Sequence, residues 1–232
     1  MTPPRRSGPV GISVEQLAAA WARQEGAEAG STVVLGHEIS GRMRLGIPWQ
    51  TRSADALACA TVLRPADLLP EAEEVLWVVG LAAAAAATGA KPGWPDLLFN
   101  DDGQQIGAVN LEVQLGPGRI ESAVVSLRVD LNALGHPSDG REKIRENMVA
   151  AFSAQALRCA ALAEDTRADL LEEYAGVSSV IGRRVRARLL PKGETRGTAV
   201  AVDPLGLLVL ESPTGMLERL SPRMVLRVEA MS

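Results

Sequence analysis

Aromatic side chains are almost missing from this sequence, at 3% of 232 residues: four Trp, two Phe and one Tyr. A core built from it must rely on Val, Leu and Ala. Cysteine is limited to Cys59 and Cys159, each in an apolar, Ala-rich setting without metal-ligand spacing. Both are expected as inert core thiols, and the reducing cytoplasm is the natural compartment. The two histidines, His37 and His136, are far apart in the chain, so no metal site is expected. Long apolar runs are missing too. The most apolar stretch, "VLWVVGLAAAAAATGA", falls short of the ~20 residues a bilayer span needs and predicts a buried helix instead. A net charge of −4 supplies no excess of positive charge, so non-specific nucleic-acid binding gains no support.

The chain is long enough for one large domain and a small one with a substantial core. Residues 1–10, within "MTPPRRSGPVG", are Pro/Gly-rich and basic with no apolar signal core behind them, and are expected as a disordered leader. Ser13, with Gln16 three residues on, makes a capping-box pattern at the head of a helix. "STVVLGHEI" and "ALACATVLRP" read as strands, and "EAEEVLWVVGLAAAAAATGA" as a helix with acids at its start and Gly89 near its end. "ESAVVSLRVDLNAL" alternates as a strand, and the segment from Gly140 to Gly176 is one or two helices. This order predicts an α+β domain with a mixed sheet over residues 11–180. From Ile181 the texture changes to short alternating segments with turn residues between them, a small β-barrel over residues 181–232. That segment carries nine Arg/Lys against five Asp/Glu, whereas the rest has fifteen against twenty-three.

Two stretches invite a functional reading. "PGWPDLLFNDDGQQIGAVNLE" is a hairpin with Asp102-Gly103 in its turn, and from Gly93 to Glu112 it holds no lysine or arginine. "SGRMRLGIPWQTR" has two glycines, a proline and three arginines but no period, a loop that is costly to keep unless it meets something. Arg42 and Arg44 sit two apart, so in an extended segment they point the same way and can grip one anionic group. Lys91 is a solvated lysine or a relocated catalytic one.

These motifs, in this order, resemble the biotin protein ligases of the biotin/lipoyl ligase family. Of that family's GRGRxGR loop and following Trp, Gly41, Arg42, Arg44, Gly46 and Trp49 match. Of its KWPND signature, Trp94 and Pro95 match, while Gly93 stands at the lysine and Asp96 at the asparagine. Of its K-x-x-G-I-L-x-E stretch, Glu112 matches, with Gln105 at the lysine and Ala108 at the glycine. Its G-x-G-x-N strand appears as Ser126, Arg128 and Asp130, its biotin-contacting Ser-Thr-Asn as Ile12-Ser13-Val14, and its glutamine before the loop as Glu38. The segment "IGRRVRA…GTAVAVDPLGLLVL" is similar to the family's terminal SH3-like barrel. No helix-turn-helix pattern accompanies it, so the repressor role of longer members is not implied.

The resemblance implies a ligand site at Gly41, Arg42, Arg44, Trp49, Trp94, Glu112 and Arg128, with catalytic residues unassigned because both family lysines are replaced. Family enzymes adenylate biotin with ATP and Mg and pass it to a lysine of a carrier domain. Charge builds on phosphate and then on the acyl oxygen, and losing one donor there typically costs ~10²–10³ in rate. Arg128 either supplies a compensating cation, fills space that a glycine would leave open, or pairs with Asp130 or Glu112. Two readings follow: a ligase-fold protein that binds a carrier domain, a carboxylase subunit or a small acyl ligand without efficient biotinylation, or a working ligase with relocated groups. A homodimer is compatible with either.

Overall fold

Strands buried on both faces organise the centre of the molecule. The computed structural model describes residues 3–49, 55–136 and 139–231. Its elements begin with β1 (Arg5–Gly8), α1 (Val14–Gln24), β2 (Thr32–Leu35), β3 (Ala56–Leu63), α2 (Val75–Thr88), β4 (Lys91–Gly93) and β5 (Leu97–Phe99). They continue with β6 (Gln105–Gly116), β7 (Arg119–Asp130), α3 (Arg141–Asp165) and α4 (Arg167–Val177). The last five are β8 (Arg184–Leu189), β9 (Glu194–Val202), β10 (Leu208–Glu211), β11 (Leu217–Leu220) and β12 (Val225–Ala230). The first sheet has the strand order β1-β2-β3-β7-β6-β5-β4, mixed because β1 runs parallel to β2 while its other pairs are antiparallel.

Alternate residues of β3 and β7 serve two cores. Ala58, Ala60, Val62 and Val124 pack with Val14, Ala18, Trp21 and Ala22 of α1 on one face. Leu57, Cys59, Leu63, Val125, Leu127 and Val129 join the residues of α2, α3 and α4 on the other. Small residues let α2 come close. A Cβ at Gly80 would lie 2.6 Å from Val109 Cγ1 of β6. Ser13 caps α1 as expected, with Gln16 N donating to Ser13 Oγ at 3.4 Å, and Gly89 ends α2 at φ 74°.

Two expectations change. The segment expected as a disordered leader contains β1, registered from Arg5↔Thr32 to Gly8↔Leu35; residues 1–2 lie outside the described ones. Arg6 holds it, donating to both Glu25 oxygens at 2.9 and 2.6 Å with its guanidinium 4.1 Å from the Trp21 ring centre. The acids before α2 do not fall in its first turn. Glu73 and Glu74 instead face the second sheet, where Ser221 Oγ donates to Glu74 at 2.6 Å and Arg223 pairs with both. The loop expected over 40–52 is described only as far as Trp49.

The second sheet is antiparallel, in the order β11-β10-β9-β8-β12, around Val185, Ala187, Ala199, Leu208, Leu210 and Val228. Within residues 184–228 the helical content among described residues is one short 3-10 turn, Pro222–Met224. This is the small all-β unit the alternating pattern predicts. Among the described residues no helix is long and apolar enough to cross a membrane.

The α2–β6 contact yields a test of the packing. Gly80→Leu must displace Val109 and is expected to cost about 1–3 kcal/mol by overpacking, measured as a lower urea midpoint at unchanged slope.

Candidate functional site

Arg128 is a long cation in the middle of a sheet, and only 1% of it is exposed. Space for it comes from its neighbours, Ala58 on β3 and Ala108 on β6, directly opposite on either side. Its side chain lies on the α1 face, as do Ser126 and Val124. There it meets two carboxylates. Nε donates to Glu38 Oε2 and Nη2 to Glu38 Oε1, both at 2.7 Å, and Nη2 also pairs with Glu15 Oε2. Glu15 accepts further bonds from Ser13 Oγ at 2.7 Å and Asn110 Nδ2 at 3.0 Å. Glu38 Oε1 takes the backbone N–H of Val14, the first residue of α1, at 2.8 Å.

Two buried carboxylates against one guanidinium leave a negative charge, and the N-terminus of α1 supplies the remaining positive potential. Burial alone would raise the Glu15 carboxyl, but Arg128 and Ser13 outweigh it and hold its pKa below the usual glutamate range. Burial would lower the Arg128 pKa, yet its bonds to Glu38 and Glu15 raise it. Cys59, in the neighbouring strand, is inert, with burial pushing its thiol up to about 12.

The glycine-arginine loop lies against this network. A Cβ on Gly41 would come within 2.7 Å of Glu38 Oε2 and 3.3 Å of Arg128 Nε, so only glycine fits. The loop closes as a small hairpin, with Trp49 N donating to Gly41 O at 2.9 Å and Met43 N to Ile47 O at 2.8 Å. Arg42 and Arg44 do not form a clamp, because a 3-10 turn at Arg44–Gly46 interrupts the extended segment. Arg42 is exposed and donates to Gly46 O at 2.8 Å. Arg44 is buried. Its Nη1 donates to Pro222 O at 2.9 Å and Val225 O at 2.7 Å, its Nη2 to Leu226 O at 3.1 Å, and its Nε lies 3.3 Å from Asp96. Burial raises the Asp96 carboxyl against the pull of Arg44.

A cleft of about 430 Å³ opens beside the loop, lined by Met43, Ile47, Pro48, Trp49, Gln105, Ile106 and Asp130. The buried Trp49 Nε1 has no hydrogen-bond partner among the described residues. Between Glu38, Gly41, Trp49 and Ala58 lies a cavity of about 40 Å³. Among the described residues no three or more His, Cys, Asp or Glu are grouped as metal ligands.

Residues 180–225 match the family model of the biotin protein ligase C terminal domain. The biotin protein ligase of Aquifex aeolicus, solved with biotin and ATP, aligns at TM-score 0.68 and 15% identity over 98% of this chain and 99% of that one. A biotin protein ligase-like protein of unknown function from a Silicibacter species aligns at TM-score 0.68 and 19% identity, over 96% and 95%. The Leishmania major biotin protein ligase, solved with biotinyl-5-AMP, aligns at TM-score 0.60 and 17% identity, over 95% and 100%. No curated protein sequence is significantly similar to the chain. The fold is that of the biotin protein ligases.

The biotin protein ligase fold here brings together only part of the expected site. Gly41, Trp49 and Arg128 converge with Glu38 and Ser13 on the α1 face, and Gln105 and Asp130 meet at the cleft. Arg44 and Trp94 turn instead to the barrel, where Trp94 Nε1 donates to Gly206 O at 3.0 Å. Glu112, four residues along β6 from Ala108, pairs at the surface with Arg23 at 3.2 Å. Arg128 does not pair with Asp130 or Glu112. Asp130 caps the turn after β7 by accepting from Asn132 N at 2.9 Å and Ala133 N at 3.1 Å. Lys91 pairs with Asp101 at 2.9 Å. A Cβ at Gly93 would lie 2.5 Å from Phe99 Cε2, which leaves no room for a lysine there. Glu15 was missed by the sequence reading, although it sits on the stripe of Ala18, Ala19 and Ala22, where an acid needs a partner.

Two outcomes follow from these contacts. Arg128→Ala leaves both carboxylates buried without their cation, and the loss is expected at about 3–5 kcal/mol at neutral pH. Because the folded-state pKa of Glu15 is lowered, its contribution to wild-type stability is present above the ordinary glutamate range. It is lost as pH falls through the folded value. In the variant the unpaired Glu15 carboxylate favours protonation, so the deficit should shrink on acidification in urea titrations across pH. Separately, Arg44→Ala should destabilise the protein by more than about 2 kcal/mol, while Arg42→Ala stays within about 0.5 kcal/mol, read by thermal melting.

Proposed function

We propose that this is a biotin-protein-ligase-like protein that does not biotinylate efficiently and acts by binding, to a biotin-carrier domain, a carboxylase subunit or a small acyl ligand. The observation that carries the proposal is Arg128, buried between Ala58 and Ala108 and fixed by Glu15 and Glu38 where the family keeps a glycine. Its guanidinium takes up volume on the α1 face, with Nε and Nη2 committed to internal carboxylates and Nη1 donating to Ser126 Oγ at 3.4 Å. It therefore gives no free cation to a reacting phosphate. The other cations have gone the same way: Arg44 is held by barrel carbonyls, and Gly93 leaves no space for a lysine. A reaction that builds negative charge on phosphate depends on such groups. Both cysteines are free and buried, which fits a cytoplasmic protein.

A second reading, an ATP-dependent ligase with relocated groups, draws on the cleft of about 430 Å³ at Trp49, Gln105 and Asp130. In that reading biotin and ATP with Mg are its substrates, and the Trp49 indole N–H, buried and without a partner among the described residues, is a donor that loop movement would present to one of them.

Biotin-dependent exchange of labelled pyrophosphate into ATP separates the two. The purified protein is expected to show none above background. Gly93→Lys with Gln105→Lys is expected not to restore it while Arg128 and Asp130 remain, since groups acting as a unit are strongly non-additive. Ready exchange by the unmodified protein would establish the second reading instead.

A further inference from the structure

The outer face of the second sheet carries more positive charge than its fold needs. Along β8, Val185 and Ala187 point into the barrel, so Arg184, Arg186 and Arg188 all point outward. Register sets Arg188 opposite Arg227 of β12 and Arg186 opposite both Glu229 of β12 and Arg196 of β9. Glu194 of β9 lies opposite Arg188. Five arginines thus share three adjacent strands with two glutamates. Glu229 is divided among Arg186 at 2.5 Å, Arg227 at 3.3 Å and Arg188 at 3.9 Å, and Glu194 pairs with Arg196 at 2.5 Å. Arg184 joins none of these pairs and is exposed.

Two of the cross-strand neighbours, Arg188–Arg227 and Arg186–Arg196, are like-charged, an arrangement that destabilises a sheet. A surface selected for stability alone would place acids at those positions. We propose that this face is a docking surface for an acidic protein segment in extended conformation, independently of what the α1 face of the first sheet binds. Alternate residues of an extended strand are about 6.6–6.8 Å apart. That is the repeat of Arg184, Arg186 and Arg188, so a partner with acids at every second position would meet one guanidinium per carboxylate. Arginine forks suit bidentate carboxylate pairing. A nucleic acid fits this face less well. From Ile181 to Ser232 there is no Phe, Trp, Tyr or His on which a base could stack, and Glu194 and Glu229 would face the phosphates.

The test uses the full chain and three labelled probes in fluorescence anisotropy at low salt. They are a peptide alternating Glu and Thr, its Gln-Thr counterpart, and an oligothymidylate of matching charge. The Glu-Thr peptide is expected to bind, to weaken as salt rises, and to bind better than either other probe. Arg184→Glu with Arg188→Glu should weaken it roughly tenfold or more. Arg184→Ala, which breaks no ion pair, should weaken it less and leave the melting temperature unchanged. Tighter binding of the oligothymidylate would overturn the proposal in favour of a nucleic-acid surface. Failure of the Glu-Thr peptide to bind, or binding unaffected by Arg184→Ala and the double variant alike, would overturn it outright.

Discussion

The structure turns on one buried guanidinium. A cation in the middle of a seven-stranded sheet is tolerable only if its charge and its N–H groups are answered in place. Arg128 recruits Glu38 from the segment after β2 and Glu15 from the first turn of α1, and each acid is satisfied in turn by Ser13, Asn110 or the Val14 N–H. The network therefore fixes α1 and the segment after β2 against the sheet. It also explains why Gly41 cannot carry a side chain and why β3 and β6 present alanines to either side. One requirement thus sets residue choice on five segments.

Buried and half-buried charges also tie the first sheet to the second. Arg44 satisfies three barrel carbonyls and pairs with Asp96, while Trp94 donates to Gly206 across the same junction. Glu73 and Glu74 meet Arg223 and Ser221 nearby. The glycine-arginine loop is tied to the second sheet by a buried side chain, which restricts its freedom to open and close independently. What stays open beside it is the cleft of about 430 Å³ at Trp49.

Much of the architecture was legible in residue patterns. Alternation in "ESAVVSLRVD" set the two faces of β7, Ser13 and Gln16 marked the head of α1, and the change of texture after Ile181 marked the second sheet. β1 was not legible, since a short parallel edge strand with exposed side chains has no hydrophobic period, and its anchor is a single stacked and ion-paired Arg6. The site was legible in part. The motif order located the loop and Arg128, but the direction of a side chain depends on backbone turns that motifs do not encode. One 3-10 turn sent Arg42 and Arg44 apart. The partners of Arg128 lie 113 and 90 residues away, beyond any local spacing rule.

On the proposed reading, Arg128 with Glu15 and Glu38 fills the position at which the resemblance to biotin protein ligases places biotin. Calorimetric titration of biotin into the wild type and into Arg128→Gly with Glu38→Gln tests it directly. These two changes install the residue types that the resemblance to biotin protein ligases implies at these positions, and leave Glu15 its partners Ser13 and Asn110. The wild type is expected to give no measurable heat of binding, and the variant to bind. Tight binding of biotin by the wild type, unchanged by the substitutions, would contradict it.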